Sequence, residues 1–123
     1  MPHQTILLAE DEVAVNQMIC KALESEGYGV LSASNGEEAF TVFEANSAKI
    51  DLVISDIEMP KVSGIDLRKI LRIRNPKLKI ILMSGGLSAA QGMTLELDAY
   101  DRFLPKPFTL YSFLSLIETF LAL

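Results

Sequence analysis

At 123 residues the chain is the size of one ordinary domain, and its single cysteine, Cys20, excludes an intramolecular disulfide and any Cys/His zinc cluster. Half of the residues are apolar and 22% are charged, which excludes a disordered tail and suits a soluble domain with one hydrophobic core. The net charge of -5 disfavours a nucleic-acid binder, and no stretch reads as a signal peptide or a membrane span, so a cytoplasmic protein is expected.

Taken in order, short apolar runs alternate with helical patterns. The run TILLA (5 to 9) predicts a strand, and the stripe Val15, Met18, Ile19, Ala22 and Leu23 then predicts an amphipathic helix that stops at Gly27. YGVLSA (28 to 33) predicts a second strand. Asn35 with Glu38 has the spacing of an N-terminal cap, opening a helix through about Ala45. DLVIS (51 to 55) is a third strand, followed by a helix from near Gly64 that ends before Pro76. KIILMS (79 to 84) is a fourth, and a weaker helix is predicted from about Ser88 to Ala99. RFL (102 to 104) is a fifth, and Thr109 caps a last helix running from Leu110.

Most of these strands are continuously apolar rather than alternating, as strands buried on both faces of a parallel sheet are. The order is therefore (βα)5: an α/β fold with a doubly wound five-stranded parallel sheet, expected as one domain over residues 1 to 123 with no effector domain visible, whether the chain stands alone or is cut from a longer protein. In such sheets ligands bind beyond the carboxyl ends of the strands.

Charge is segregated along the chain. Residues 1 to 58 hold eleven acids against Lys21 and Lys49, whereas residues 59 to 81 hold seven Lys or Arg against Asp66 alone. The basic segment RKILRIRNPKLK reads as the solvated face of a helix and its following turn, or as a docking patch for an acidic partner.

The strand ends collect a set of groups with a common chemistry. Strand one delivers Glu10, Asp11 and Glu12, strand three Asp56, strand four Ser84 and strand five Lys106. Carboxylates gathered at one edge repel one another unless a cation sits among them. Hard oxygen donors without His or Cys suit Mg2+, and a metal-bound carboxylate is a nucleophile that can form an aspartyl phosphate. Ser84 and Lys106 would then contact the remaining phosphoryl oxygens. Singly, each residue has a plainer explanation, as a helix-start acid, a turn former, a loop serine or a surface charge. Their coincidence at four strand ends argues for a site.

The motifs ILLAEDE, DLVISDIEMPKVSG, IILMSGG and FLPKPF, in that order, resemble those of the receiver domains of two-component response regulators, including the single-domain chemotaxis type. The resemblance covers the whole chain. It implies a flavodoxin-like sheet with strand order 2-1-3-4-5 and makes Asp56 the phosphoacceptor. It assigns Mg2+ to Glu10, Asp11, Asp56 and the backbone carbonyl of Glu58, with Asp11 the more direct of the acidic pair. Ser84 becomes the switch hydroxyl, Lys106 the phosphoryl contact and Phe103 the switch aromatic, and Lys106-Pro107 is a candidate cis peptide. The implied function is a signalling switch rather than an enzyme. It would take a phosphoryl group from a histidine kinase or phosphotransfer protein and act on a downstream protein target through the face made by the fourth helix, fifth strand and last helix. No direct nucleic-acid or membrane contact is implied.

Several residues depart from the family pattern. Glu10 stands where Asp is usual, Phe103 replaces the frequent Tyr, Gly85 and Gly86 follow Ser84, and Glu58 adds a carboxylate two residues after the acceptor, which bears on the dephosphorylation rate. In the last helix, Leu110, Phe113, Leu114, Ile117 and Leu121 are expected in the core, whereas Leu116, Phe120 and Leu123 are expected on or near the outer side. Such an apolar face suggests a homodimer through the fourth and last helices. Competing functions are a Mg2+-dependent phosphohydrolase working through an aspartyl phosphate, with Glu58 as general acid, and a phosphorylation-independent binding module of the same fold.

Overall fold

The computed structural model describes residues 4–86 and 96–123. Five strands, β1 (Thr5–Ala9), β2 (Gly29–Ala33), β3 (Ile50–Asp56), β4 (Lys79–Ser84) and β5 (Asp101–Pro105), form one sheet in the order β2-β1-β3-β4-β5. Every neighbouring pair is parallel. The helices are α1 (Val13–Ser25), α2 (Gly36–Asn46), α3 (Gly64–Arg74) and α4 (Leu110–Leu121). Both the predicted fold class and the predicted strand order hold. Most of the weaker helix predicted from about Ser88 lies outside the described residues, and its final stretch is not helical, since residues 96–98 are irregular and 99–100 form a turn.

The continuous hydrophobicity of the strands follows from alternation of side chains between two covered faces. Leu7, Ala9, Val53, Ile80 and Leu82 join Phe43 of α2 and Leu67 and Leu71 of α3 on one face. Ile6, Leu8, Leu52, Ile54, Ile81 and Met83 meet Ile19 and Leu23 of α1 and Phe113, Ile117 and Phe120 of α4 on the other. Each strand thus needs apolar residues at successive positions.

Helix starts are fixed by local chemistry. The Asn35 side chain accepts from Glu38 N–H at 2.8 Å, while Glu38 reaches back to Ser34 N–H at 2.9 Å. Thr109 caps α4 by accepting from Ser112 N–H at 3.0 Å, and Ser63 caps α3 by accepting from Asp66 N–H at 3.2 Å.

The C-terminal helix differs from expectation at both ends. Phe120 is buried, 1% exposed, with Arg102 stacked 4.4 Å from its ring centroid. Leu110, expected in the core, is 42% exposed. A helix so uniformly apolar carries little phase information beyond Phe113 and Ile117, which are buried as expected. Phe113, Ile117 and Phe120 form the inner stripe, with Leu116 and Leu121 packed beside it.

Candidate functional site

The sheet brings the strand-end groups to one edge. Glu10 directly follows β1 and is almost fully buried, Asp56 closes β3 at 5% exposure, and Ser84 closes β4, fully buried. Lys106 follows β5, where its N–H donates to the Ser84 carbonyl at 2.8 Å and so locks the ends of β4 and β5 together. The Lys106-Pro107 peptide is cis. Phe103 lies within β5, partly buried against the core face shared with α2 and α3.

The Lys106 ammonium stands between two acids, 2.8 Å from Glu10 Oε1 and 2.9 Å from Asp56 Oδ2. Burial pulls its pKa down, but the bonds to Glu10 and Asp56 outweigh this and hold it above the ordinary lysine value. Glu10 moves the other way in its preference for charge. Burial raises its pKa and the Asp56 charge adds to this, against the opposing pull of Lys106 and the Glu12 N–H. One ammonium shared between two carboxylates explains both results: the lysine gains from two partners, while Glu10 must share its partner and tolerate a like charge.

Asp56 is held for directional chemistry. Its Oδ2 faces Lys106 and its Oδ1 accepts from Glu58 N–H at 3.2 Å. Ile57 N–H donates to the Met83 carbonyl at 2.8 Å, anchoring the loop that follows, and the loop turns through Lys61 at φ 70, the left-handed region. Gly64 closes it. A Cβ there would stand 2.2 Å from the Asp56 carbonyl oxygen, so only glycine lets α3 begin this near Asp56.

Glu10, Asp11 and Asp56 each offer a carboxylate oxygen, and these atoms lie within 4.8 Å of one another. Among the described residues only Lys106 brings a positive charge to this trio, leaving net negative charge over an all-oxygen donor set. That chemistry fits a hard divalent cation. Glu10 and Asp56 are both already engaged, each by Lys106 and by one backbone N–H, from Glu12 and Glu58 respectively, whereas Asp11 is exposed.

With this geometry in place, the comparisons are decisive. The response regulator receiver domain profile matches residues 6–118. The chain belongs to the response regulator receiver family. Among solved relatives, this receiver domain superposes on one from Clostridium thermocellum with a TM-score of 0.87 at 30% identity, covering 97% of this chain and 94% of that one. The receiver domain of the hybrid histidine kinase CckA gives a TM-score of 0.79 at 33% identity, covering 95% and 98%. In sequence, it is 42% identical over 106 residues to the sensor kinase CckA of Brucella abortus, across 86% of this chain but 11% of that protein. It is 38% identical over 103 residues to the transcriptional regulatory protein CpxR of Escherichia coli, across 84% of this chain and 43% of that one. The chain thus spans less than half the length of these curated relatives.

Other features of this receiver domain were not read from the sequence. Asn16 on α1 donates to the carbonyls of Glu10 and Ala33 at 3.1 and 3.3 Å, holding the β1 end that presents the acids. An amide inside an otherwise amphipathic helix, six residues after Glu10, was the available signal. The basic segment is in part the solvated face expected of it, with Lys69, Arg74 and Lys77 exposed, and in part turned inward. Arg68 and Arg72 converge on the buried Asp101 carboxylate, and Arg72 also pairs with Asp98 at 2.8 Å. Arg74 pairs with Glu44 at 2.6 Å, and Lys79 donates to the carbonyls of Phe120 and Leu123 at 3.0 and 2.9 Å. No helix among the described residues is long and apolar enough to cross a membrane.

Proposed function

We propose that this receiver domain is a phosphorylation-dependent signalling switch with Asp56 as its phosphoacceptor. The observation that carries the reading is Asp56 itself: a nearly buried carboxylate at a strand end, flanked by a lysine at 2.9 Å and by two further acids that can share a cation. One Asp56 oxygen attacks the phosphorus of a phosphohistidine on a histidine kinase or phosphotransfer protein. The P–N bond breaks, its electron pair stays on the imidazole, and an acyl phosphate remains on Asp56.

Glu10, Asp11, Asp56 and the Glu58 backbone carbonyl would hold Mg2+, which when bound neutralises charge on a phosphoryl oxygen. The Lys106 ammonium pairs with another oxygen, and the Ser84 hydroxyl donates to a third once it turns toward the adduct. Phe103, without a phenolic hydroxyl, follows Ser84 by packing alone. Loss of the phosphoryl group by the domain's own hydrolysis resets the switch. Output is by contact with a downstream protein at the β5 and α4 face, where Leu110 and Tyr111 are 42% and 84% exposed. The predicted homodimer loses Phe120 as an anchor, because that ring is in the core.

The phosphohydrolase alternative needs Glu58 as an available general acid, yet its carboxylate is already engaged by Ser84 at 2.7 Å. Intact-mass measurement with Mg2+ and a small phosphodonor tests the proposal. A single added phosphoryl group, absent when EDTA is present throughout the incubation, is the expected result, and steady turnover of a phosphate ester without an adduct would overturn it in favour of the hydrolase.

A further inference from the structure

Phosphoryl transfer to Asp56 gives the Glu58 backbone a role at the metal and gives its side chain none. That side chain is nevertheless bound. Ser84 Oγ lies 2.7 and 2.8 Å from the two Glu58 carboxylate oxygens, and Gly86 N–H donates to Oε1 at 3.1 Å. Gly86 N–H also lies 3.0 Å from Ser84 Oγ, closing a small ring of bonds across the ends of β3 and β4.

A serine hydroxyl has one proton to donate. Here it goes to a carboxylate, making a charge-assisted bond of the short, strong kind. A phosphoryl group on Asp56 would call on the same proton. The loop accommodates the present arrangement, since a Cβ at position 86 would meet Glu58 Oε1 at 3.1 Å, closer than ordinary packing. Glycine at this point leaves the carboxylate its seat.

We infer that Glu58 is a resting-state latch: its carboxylate takes the place of the phosphoryl group as acceptor of the Ser84 hydroxyl, and phosphorylation of Asp56 must displace it before Ser84 can turn. This rests on the phosphoacceptor reading. The latch lowers the apparent affinity of the site for a phosphoryl group or its mimic in proportion to the fraction of molecules in which Ser84 is released. It also gives the Glu58 side chain a positioning role, setting the threshold of the switch through Ser84 rather than through the metal.

The test is a double-mutant cycle read by beryllium fluoride binding in Mg2+, followed through the amide signals of Gly85 and Gly86. If about one molecule in ten has Ser84 released, Glu58→Ala binds the mimic about tenfold more tightly than the parent. In a Ser84→Ala background the same substitution changes the affinity little, because the contested proton is gone. Gly86→Ala keeps the Glu58 charge but crowds its carboxylate, and tightens binding in the same direction. Equal tightening by Glu58→Ala in both backgrounds would mean simple charge repulsion and overturns the latch, as does no tightening at all. Failure of every variant to bind the mimic overturns the phosphoacceptor reading and the latch with it.

Discussion

Replacing Lys106 with methionine removes the positive charge that Glu10 and Asp56 share while keeping an unbranched side chain of similar reach. The two ion pairs measure 2.8 and 2.9 Å, and the Glu10 and Asp56 side chains are 0% and 7% exposed. Breaking such a buried pair by removing one partner costs about 3 to 5 kcal/mol, since the charge left behind is neither paired nor hydrated. The Lys106 side chain keeps 20% of its exposure, so water can enter and the lower end applies, about 3 kcal/mol. For a domain of this size that lowers Tm by roughly 10 to 15 °C. The assay is thermal and urea unfolding of both proteins in EDTA and again in saturating Mg2+. The metal should narrow the gap, because a cation among Glu10, Asp11 and Asp56 supplies the missing neutralisation and binding stabilises the folded state. A variant as stable as the parent in EDTA would refute the reasoning, and so would a deficit that Mg2+ leaves untouched.

Two further outcomes follow from elements around the site. Asp101→Asn leaves Arg68 and Arg72 without their buried anion, at a cost of about 3 to 5 kcal/mol in urea unfolding at neutral pH. Burial alone would raise the Asp101 pKa, but the hydrogen bonds from Arg68, Asp98 N–H and Arg72 outweigh it and hold it below the ordinary aspartate value. Its contribution is therefore present above the ordinary aspartate pKa and is lost as pH falls through the depressed folded value, so the gap between parent and variant should close only in strong acid. Gly64→Ala forces a methyl against the Asp56 carbonyl and should lower stability by about 1 to 3 kcal/mol or more, with a shifted Asp56 amide signal as the local marker.

How much of this was legible in the sequence depended on the range of the interaction. Asn35 and Glu38 meet across one turn, and Thr109 caps its own helix, so local spacing was enough. The strands could be placed because burial on both faces demands unbroken apolar runs such as IILM. The convergence of Glu10, Asp11, Asp56, Ser84 and Lys106 on one edge followed from the topology, which sends every strand end the same way. Phase failed in α4, where so many residues are apolar that Phe120 and Leu110 exchanged environments. The Arg68 and Asp101 pair, 33 residues apart, has no local signature at all. Glu58 was visible as an extra carboxylate two residues after Asp56, but its bond to Ser84 depends on the β3 and β4 ends lying side by side, which a linear reading does not reveal.

The central claim is that Asp56 carries the phosphoryl group. Its most direct test is peptide mapping of the chain after incubation with Mg2+ and a small phosphodonor, with Asp56→Asn treated in parallel. The account predicts one phosphoryl group on Asp56 in the parent and none on the variant. An unmodified parent, or the same adduct on Asp56→Asn, would contradict it.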